Sequence, residues 1–149
     1  MVRSLVGKHP NYYEAIIQVR DNEQEVEKFM KNLIDTKKLL VNKISKMKNG
    51  QDYFCADNDQ ARAMSKKLQQ TFGGEIKTTS SLHTQIDGKD MYRVTFLFRQ
   101  APFKKGDEVE YDEEIWEVKS LIKDIFLKNK KSGKKVHIRY RNMSQVKKI

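Results

Sequence analysis

The sequence predicts an α+β fold: a split βαβ (ferredoxin-like) domain with one additional strand over residues 10–100, then a small β-barrel over residues 101–149. Three observations lead there. Apolar residues alternate with period two near the N-terminus, recur at helical spacing in two later segments, and fall into short strand-like runs after Pro102. Asn49-Gly50, Gly73-Gly74 and Asp87-Gly88 divide those segments with turn chemistry. A chain of 149 residues supports one or two small domains with a modest core.

From Asn11 to Arg20 the chain places Tyr13, Ala15, Ile17 and Val19 on one face and Tyr12, Glu14, Ile16, Gln18 and Arg20 on the other, as a half-buried strand does. Asp21 is a candidate helix cap with Gln24 at the reciprocal position. Val26, Phe29, Met30, Leu33 and Ile34 then form one apolar stripe. Asn49-Gly50 suits a tight turn, so residues 43–48 and 51–56 are expected to pair as a hairpin. Asp57 and Gln60 repeat the capping pattern before Ala61, Met64, Leu68 and Phe72, and Gly73-Gly74 ends that helix.

Residues 75–86 and 89–99 complete a second hairpin around Asp87-Gly88. A plain two-residue turn would set Leu82 opposite Arg93 and mix the faces. A three-residue loop, Ile86-Asp87-Gly88, sets Leu82 opposite Tyr92 and keeps the apolar faces together. Both helices are expected on one side of the sheet, leaving the other face open. Beyond Pro102, strand-like runs at 108–111, 115–121, 122–128 and 135–140 are most economically closed into a barrel of Src-homology-like or OB-like plan, which removes exposed edges.

Charge is unevenly distributed. Thirty Lys and Arg against 20 Asp and Glu give a net charge of +10. Residues 1–100 carry 17 basic and 12 acidic side chains, residues 101–127 carry 4 and 8, and residues 128–149 carry 9 and none. Such an excess favours a polyanionic partner. A second acid-free stretch, 36–49, holds Lys37, Lys38, Lys43, Lys46 and Lys48, which serve equally as solvated surface. The longest apolar runs fall far short of the about 20 residues a spanning helix needs, so no membrane contact is expected. The N-terminus lacks a secretory pattern and Cys55 is the single cysteine, so a reducing, cytoplasmic setting is the default.

The basic hairpin carries the functional expectation. With Val136, Ile138 and Tyr140 inward, Lys135, His137, Arg139 and Arg141 turn outward beside a loop holding Lys128, Lys130, Lys131 and Lys134. A hairpin with a basic tip can follow a phosphate backbone and gain affinity by counterion release; the competing reading is an edge strand protected from aggregation by lysine. Lys77, Arg93 and Arg99 fall on the sheet face opposite Tyr92, Val94, Phe96 and Phe98, a face that Tyr12 shares and that can stack bases. No aromatic-rich RNA-recognition run accompanies them.

Support for catalysis is thin. Asp107, Glu108, Glu110, Asp112, Glu113 and Glu114 lack the spacing of a calcium loop. His9, His83 and His137 are scattered, no paired cysteines exist, and no glycine-rich loop opens a helix. Cys55 on an apolar strand is expected as a small core residue. Neither an enzyme nor a cofactor is expected.

The chain resembles the Nmd-three family, the large-ribosomal-subunit export and assembly adaptors of archaea and eukaryotes. The resemblance rests on Tyr12-Tyr13-Glu14-Ala15 with Gln18 and Arg20, Asp52-Tyr53-Phe54, Ala61-Arg62, Gly73-Gly74 with Lys77, Tyr92-Arg93, Pro102-Phe103 and Gly106-Asp107. It implies the family's middle segment, of archaeal type, without the zinc-binding N-terminal module, and a non-enzymatic role at the large subunit. The partners so implied are ribosomal RNA and stalk proteins, met by a monomer. An adaptor that meets a ribosomal or assembly-factor protein through the acidic strip Asp107–Glu117 and the open sheet is the alternative, and a metal-dependent hydrolase at that strip a third.

Overall fold

A computed structural model describes residues 12–36 and 39–149; His9, Asn11, Lys37 and Lys38, named above, lie outside them. The elements are β1 (Ala15–Arg20), α1 (Gln24–Thr36), β2 (Val41–Met47), β3 (Gly50–Cys55), α2 (Asn58–Phe72), β4 (Gly74–Ile86), β5 (Lys89–Gln100), β6 (Glu108–Tyr111), β7 (Glu114–Ser120), β8 (Ile125–Asn129), β9 (Lys135–Ile138), a 3-10 turn (Tyr140–Gln145) and β10 (Lys147–Lys148). The fold is mixed α and β, with strands predominating.

The first sheet has the order β2-β3-β1-β5-β4. β3 pairs antiparallel with both β1 and β2, so β1 and β2 run parallel with β3 between them, joined by α1. The second half departs from the expected ferredoxin-like order. There β5, not the strand directly after α2, lies beside β1, and the two run parallel. The physical cause is the long β4–β5 hairpin: α2 delivers β4 to the outer edge, and β5 returns into the vacant place.

Alternation on the strands buries Ala15, Ile17, Val19, Tyr53, Cys55, Val94, Phe96 and Phe98 against Val26 and Met30 of α1 and Ala61 and Leu68 of α2. Both helices therefore cover one face. Full burial of a side chain such as Phe96 contributes about 1.5–3 kcal/mol. Cys55 is wholly buried in this core.

Local chemistry explains the ends of elements. Asp57 caps α2, accepting from the backbone N–H groups of Asp59 at 2.9 Å and Gln60 at 3.3 Å. The Gln60 side chain does not reciprocate; its Oε1 accepts from the Leu40 N–H at 2.9 Å. Asp21 does not cap α1 as expected: its φ is 52°, and its carboxylate pairs with Arg99 at 2.9 Å, three residues before the helix begins.

The first hairpin turns at Lys48-Asn49, not at Asn49-Gly50, because Met47 pairs with Gly50 inside the ladder. Glycine is needed there for close approach: a Cβ on Gly50 would meet the Val19 carbonyl oxygen at 1.8 Å. In the second hairpin Leu82 does face Tyr92, but the expected three-residue loop is absent. Ile86 pairs with Lys89 across a two-residue turn with φ of 52° at Asp87 and 77° at Gly88, and a bulge between Leu82 and Thr84 restores the register.

The second sheet has the order β10-β6-β7-β8-β9. The expected closed barrel is not formed: β9 pairs with β8 and β10 with β6, and among the described residues no ladder joins β9 to β10. The 3-10 turn carries the chain from one edge to the other, and buried Tyr140, Met143 and Val146 seal the gap by packing where a barrel would use hydrogen bonds. A second core of Phe103, Val109, Trp116, Val118, Ile125 and Leu127 lies inside.

The two sheets meet at the end of α2. The Ala101 N–H donates to the Gly73 carbonyl at 3.1 Å, Lys104 pairs with Glu23 at 3.0 Å, and a Cβ on Gly73 would meet the Leu121 side chain at 3.0 Å; within the second unit the Tyr140 hydroxyl donates to the Leu121 carbonyl. No described helix is long and apolar enough to cross a membrane.

Candidate nucleic-acid interface

The basic residues expected to act together fall into three places. The β8–β9 hairpin holds Lys128, Lys130, Lys131, Lys134 and Lys135, with Arg139 just beyond β9. Lys77, Arg99 and Arg141 instead line a cleft between the two sheets, and Arg93 lies on the open face of the first sheet. Arg141 parts from the hairpin because the strand ends at Ile138 and the 3-10 turn redirects the chain.

The hairpin loop is held from below by one buried side chain. Asn129, 4% exposed, accepts at Oδ1 from the backbone N–H groups of Lys131 at 2.8 Å and Ser132 at 2.9 Å, while its Nδ2 donates to Glu114 at 2.7 Å. The backbone of the lysine loop is thereby fixed while its side chains stay in solvent. Lys128 stands directly opposite Lys135 in the ladder, and on its other side opposite Glu117.

Acids of β6 and β7 reach part of this cluster. Lys130 pairs with Glu108 at 3.3 Å. Among the described residues, Lys131, Lys134, Lys135, Arg139 and Arg141 form no ion pair within 4.0 Å, and all five are exposed. His137 stacks on Phe126 with centroids 4.3 Å apart and meets Asp124 at 3.0 Å. The acidic strip is largely exposed, with a cavity of about 550 Å³ between Glu108, Glu114, Ile115 and Lys130. Among the described residues no group of three or more His, Cys, Asp or Glu can hold a metal ion.

The cleft encloses about 660 Å³. Lys147 and Lys148 line it with Lys77, Arg99 and Arg141, against the acids Asp21 and Glu75. Sequence reasoning missed Lys147 and Lys148, although they lie in the acid-free tail; their pairing with β6 is a long-range contact that no local pattern signals.

On the open sheet face Arg93 stacks on Tyr13, its guanidinium carbon 3.8 Å from the ring centroid, and its Nε donates to the Tyr13 carbonyl at 3.3 Å. Tyr13 meets Phe54 edge-on at 5.1 Å, and the Lys43 ammonium lies 5.5 Å from the Phe54 ring. Tyr13 was expected on the core face with Ala15. The strand begins only at Ala15, so the alternation does not extend back to it, and Tyr13 joins the open face in the place expected for Tyr12. The Tyr12 hydroxyl donates to Glu14 at 2.6 Å.

These features define a basic, strand-rich α+β protein whose positive charge gathers on a hairpin, a cleft and an open sheet. A family model described as NMD3, second domain, matches residues 12–99, more than half of the chain. The chain belongs to the NMD3 family, which is associated with the large ribosomal subunit and its biogenesis. Among curated proteins, none matches this chain.

Proposed function

We propose that this protein is a non-enzymatic RNA-binding protein of the large ribosomal subunit, acting in late assembly or maturation, and that the β8–β9 hairpin contacts ribosomal RNA phosphates. The supporting observation is the in-register pair Lys128–Lys135 beside exposed Lys131 and Lys134. Like charges opposite one another in a ladder cost stability in the free protein. A phosphate backbone laid along the hairpin offsets that cost and releases counterions. The Asn129 anchor lowers the ordering cost of binding.

On this reading residues 10–100 form one domain that positions a second, 101–149, and the protein works as a cytoplasmic monomer. Stalk proteins of the subunit are a further contact. The alternative is an adaptor that meets a ribosomal or assembly-factor protein through its acidic strip and open sheet, favoured by Glu110, Asp112 and Glu113, which are exposed and, among the described residues, form no ion pair.

Ribonuclease treatment of complexes captured with the purified protein separates the two. Loss of the large-subunit proteins from the capture supports RNA contact; retention of one protein partner after digestion supports the adaptor.

A further inference from the structure

We infer that the open face of the first sheet, continued into the cleft, is a track for single-stranded RNA, with Arg93 and Tyr13 as the base-stacking platform and Lys77, Arg99, Arg141, Lys147 and Lys148 as the phosphate contacts. The inference rests on the RNA-binding reading and names a site apart from the hairpin.

Both helices pack on the opposite face, so neither covers this one. The in-register pairs Ser81–Arg93, Lys77–Leu97 and Glu75–Arg99 set Arg93, Leu97 and Arg99 of β5 on that face together with Lys77. Lys77 and Arg99 also line the cleft, so face and cleft form one continuous surface. Arg93 and Arg99 lie six residues apart on one strand. At the rise of a strand that is about 20 Å, a length that a few extended nucleotides span.

The occupant follows from the two ends. At one end, a guanidinium stacked on a tyrosine ring is a planar cation whose second face suits a nucleobase, and the Tyr13 carbonyl holds it in place. At the other end, five basic groups face two acids, Asp21 and Glu75, with Asp21 already paired to Arg99 and Lys148 3.7 Å from Asp107. The surplus is positive and the complement is anionic. Unstacked bases joined to phosphates meet both requirements, whereas a duplex hides its base faces.

The test uses the full chain and a fluorescein-labelled 12-nucleotide single-stranded RNA, read by anisotropy. Arg93→Lys keeps the charge and removes the planar stack, Tyr13→Leu removes the ring, and paired Lys147→Gln and Lys148→Gln weaken the phosphate end. A Tyr13→Trp variant reports stacking by quenching of its emission. Each variant is first melted to establish that it is folded. We expect Arg93→Lys to weaken binding about tenfold with its salt dependence unchanged, quenching of the Trp variant by RNA, and a shallower salt slope in the lysine pair. Binding with full affinity by Arg93→Lys and Tyr13→Leu overturns the track while leaving the hairpin reading intact. Equal affinity for a duplex of the same length also overturns it. So does failure of the wild-type chain to bind the oligonucleotide while it still binds the large subunit.

Discussion

The guanidinium of Arg93 on β5 sits 3.8 Å from the centroid of the Tyr13 ring, joining the second half of the sheet to the segment that precedes β1. A stack of this kind contributes about 0.5–2 kcal/mol according to its desolvation. Arg93→Ala is expected to lower stability by about 1 kcal/mol in urea unfolding, whereas Arg93→Lys is expected to cost less. Equal losses in the two variants would place the contribution in the planar contact and not in charge.

Gly50 is set by space. A side chain there would collide with the Val19 carbonyl, a backbone atom that cannot step aside without moving β1. Gly50→Ala is expected to cost at least about 2 kcal/mol. A thermal melt within a degree or so of wild type would show that β1 and β3 yield at little cost.

Asn129 links stability to the proposed contact surface. Its side chain serves two backbone N–H groups and Glu114, so Asn129→Ala leaves those donors without their partner in a partly buried setting. The expected loss is about 1–3 kcal/mol, with faster amide exchange at Lys131 and Ser132 by NMR. Unchanged exchange at both amides would mean that the loop keeps its form without the anchor.

Alkaline pH acts on three buried acids. Burial, helped by the charge of Glu27, pushes the Tyr53 hydroxyl up to about 12 from its ordinary 10. Burial likewise lifts Tyr140 to about 12 from 10, and Cys55 to about 12 from 9. In each case the folded state keeps its proton to higher pH than the unfolded chain does. The stability they contribute is therefore full below about pH 9 and falls as pH rises through 9 to 12. Urea midpoints measured from about pH 8 to about pH 11 are expected to stay level and then drop. A midpoint constant to the upper limit would contradict the burial of these groups.

Much of the fold was legible in local chemistry. The Asp57 cap and the α2 stop at Gly73 each follow from residues within a few positions of one another, whereas Leu82 faces Tyr92 through a bulge and a two-residue turn in place of the expected three-residue loop. What escaped depends on distant contacts. Asp21 was drawn from its helix by Arg99, 78 positions away. Gly50 belongs to a ladder because Val19 approaches it, although its dipeptide reads as a turn. The barrel stayed open because buried Tyr140 and Met143 do by packing what a last pair of strands would do by hydrogen bonding. Of the site, the outward set on β9 was readable from alternation, whereas the union of Lys77, Arg99 and Arg141 with Lys147 and Lys148 needed the docking of one sheet on the other.

The salt dependence of large-subunit binding measures phosphate contact by the hairpin most directly. With about five phosphates neutralised, log affinity should fall with log salt at a slope near 4 in magnitude. Replacing Lys131, Lys134 and Lys135 by Ser should flatten that slope by about 2 to 3. A slope and affinity identical in wild type and variant would contradict the assignment of the hairpin as the contact.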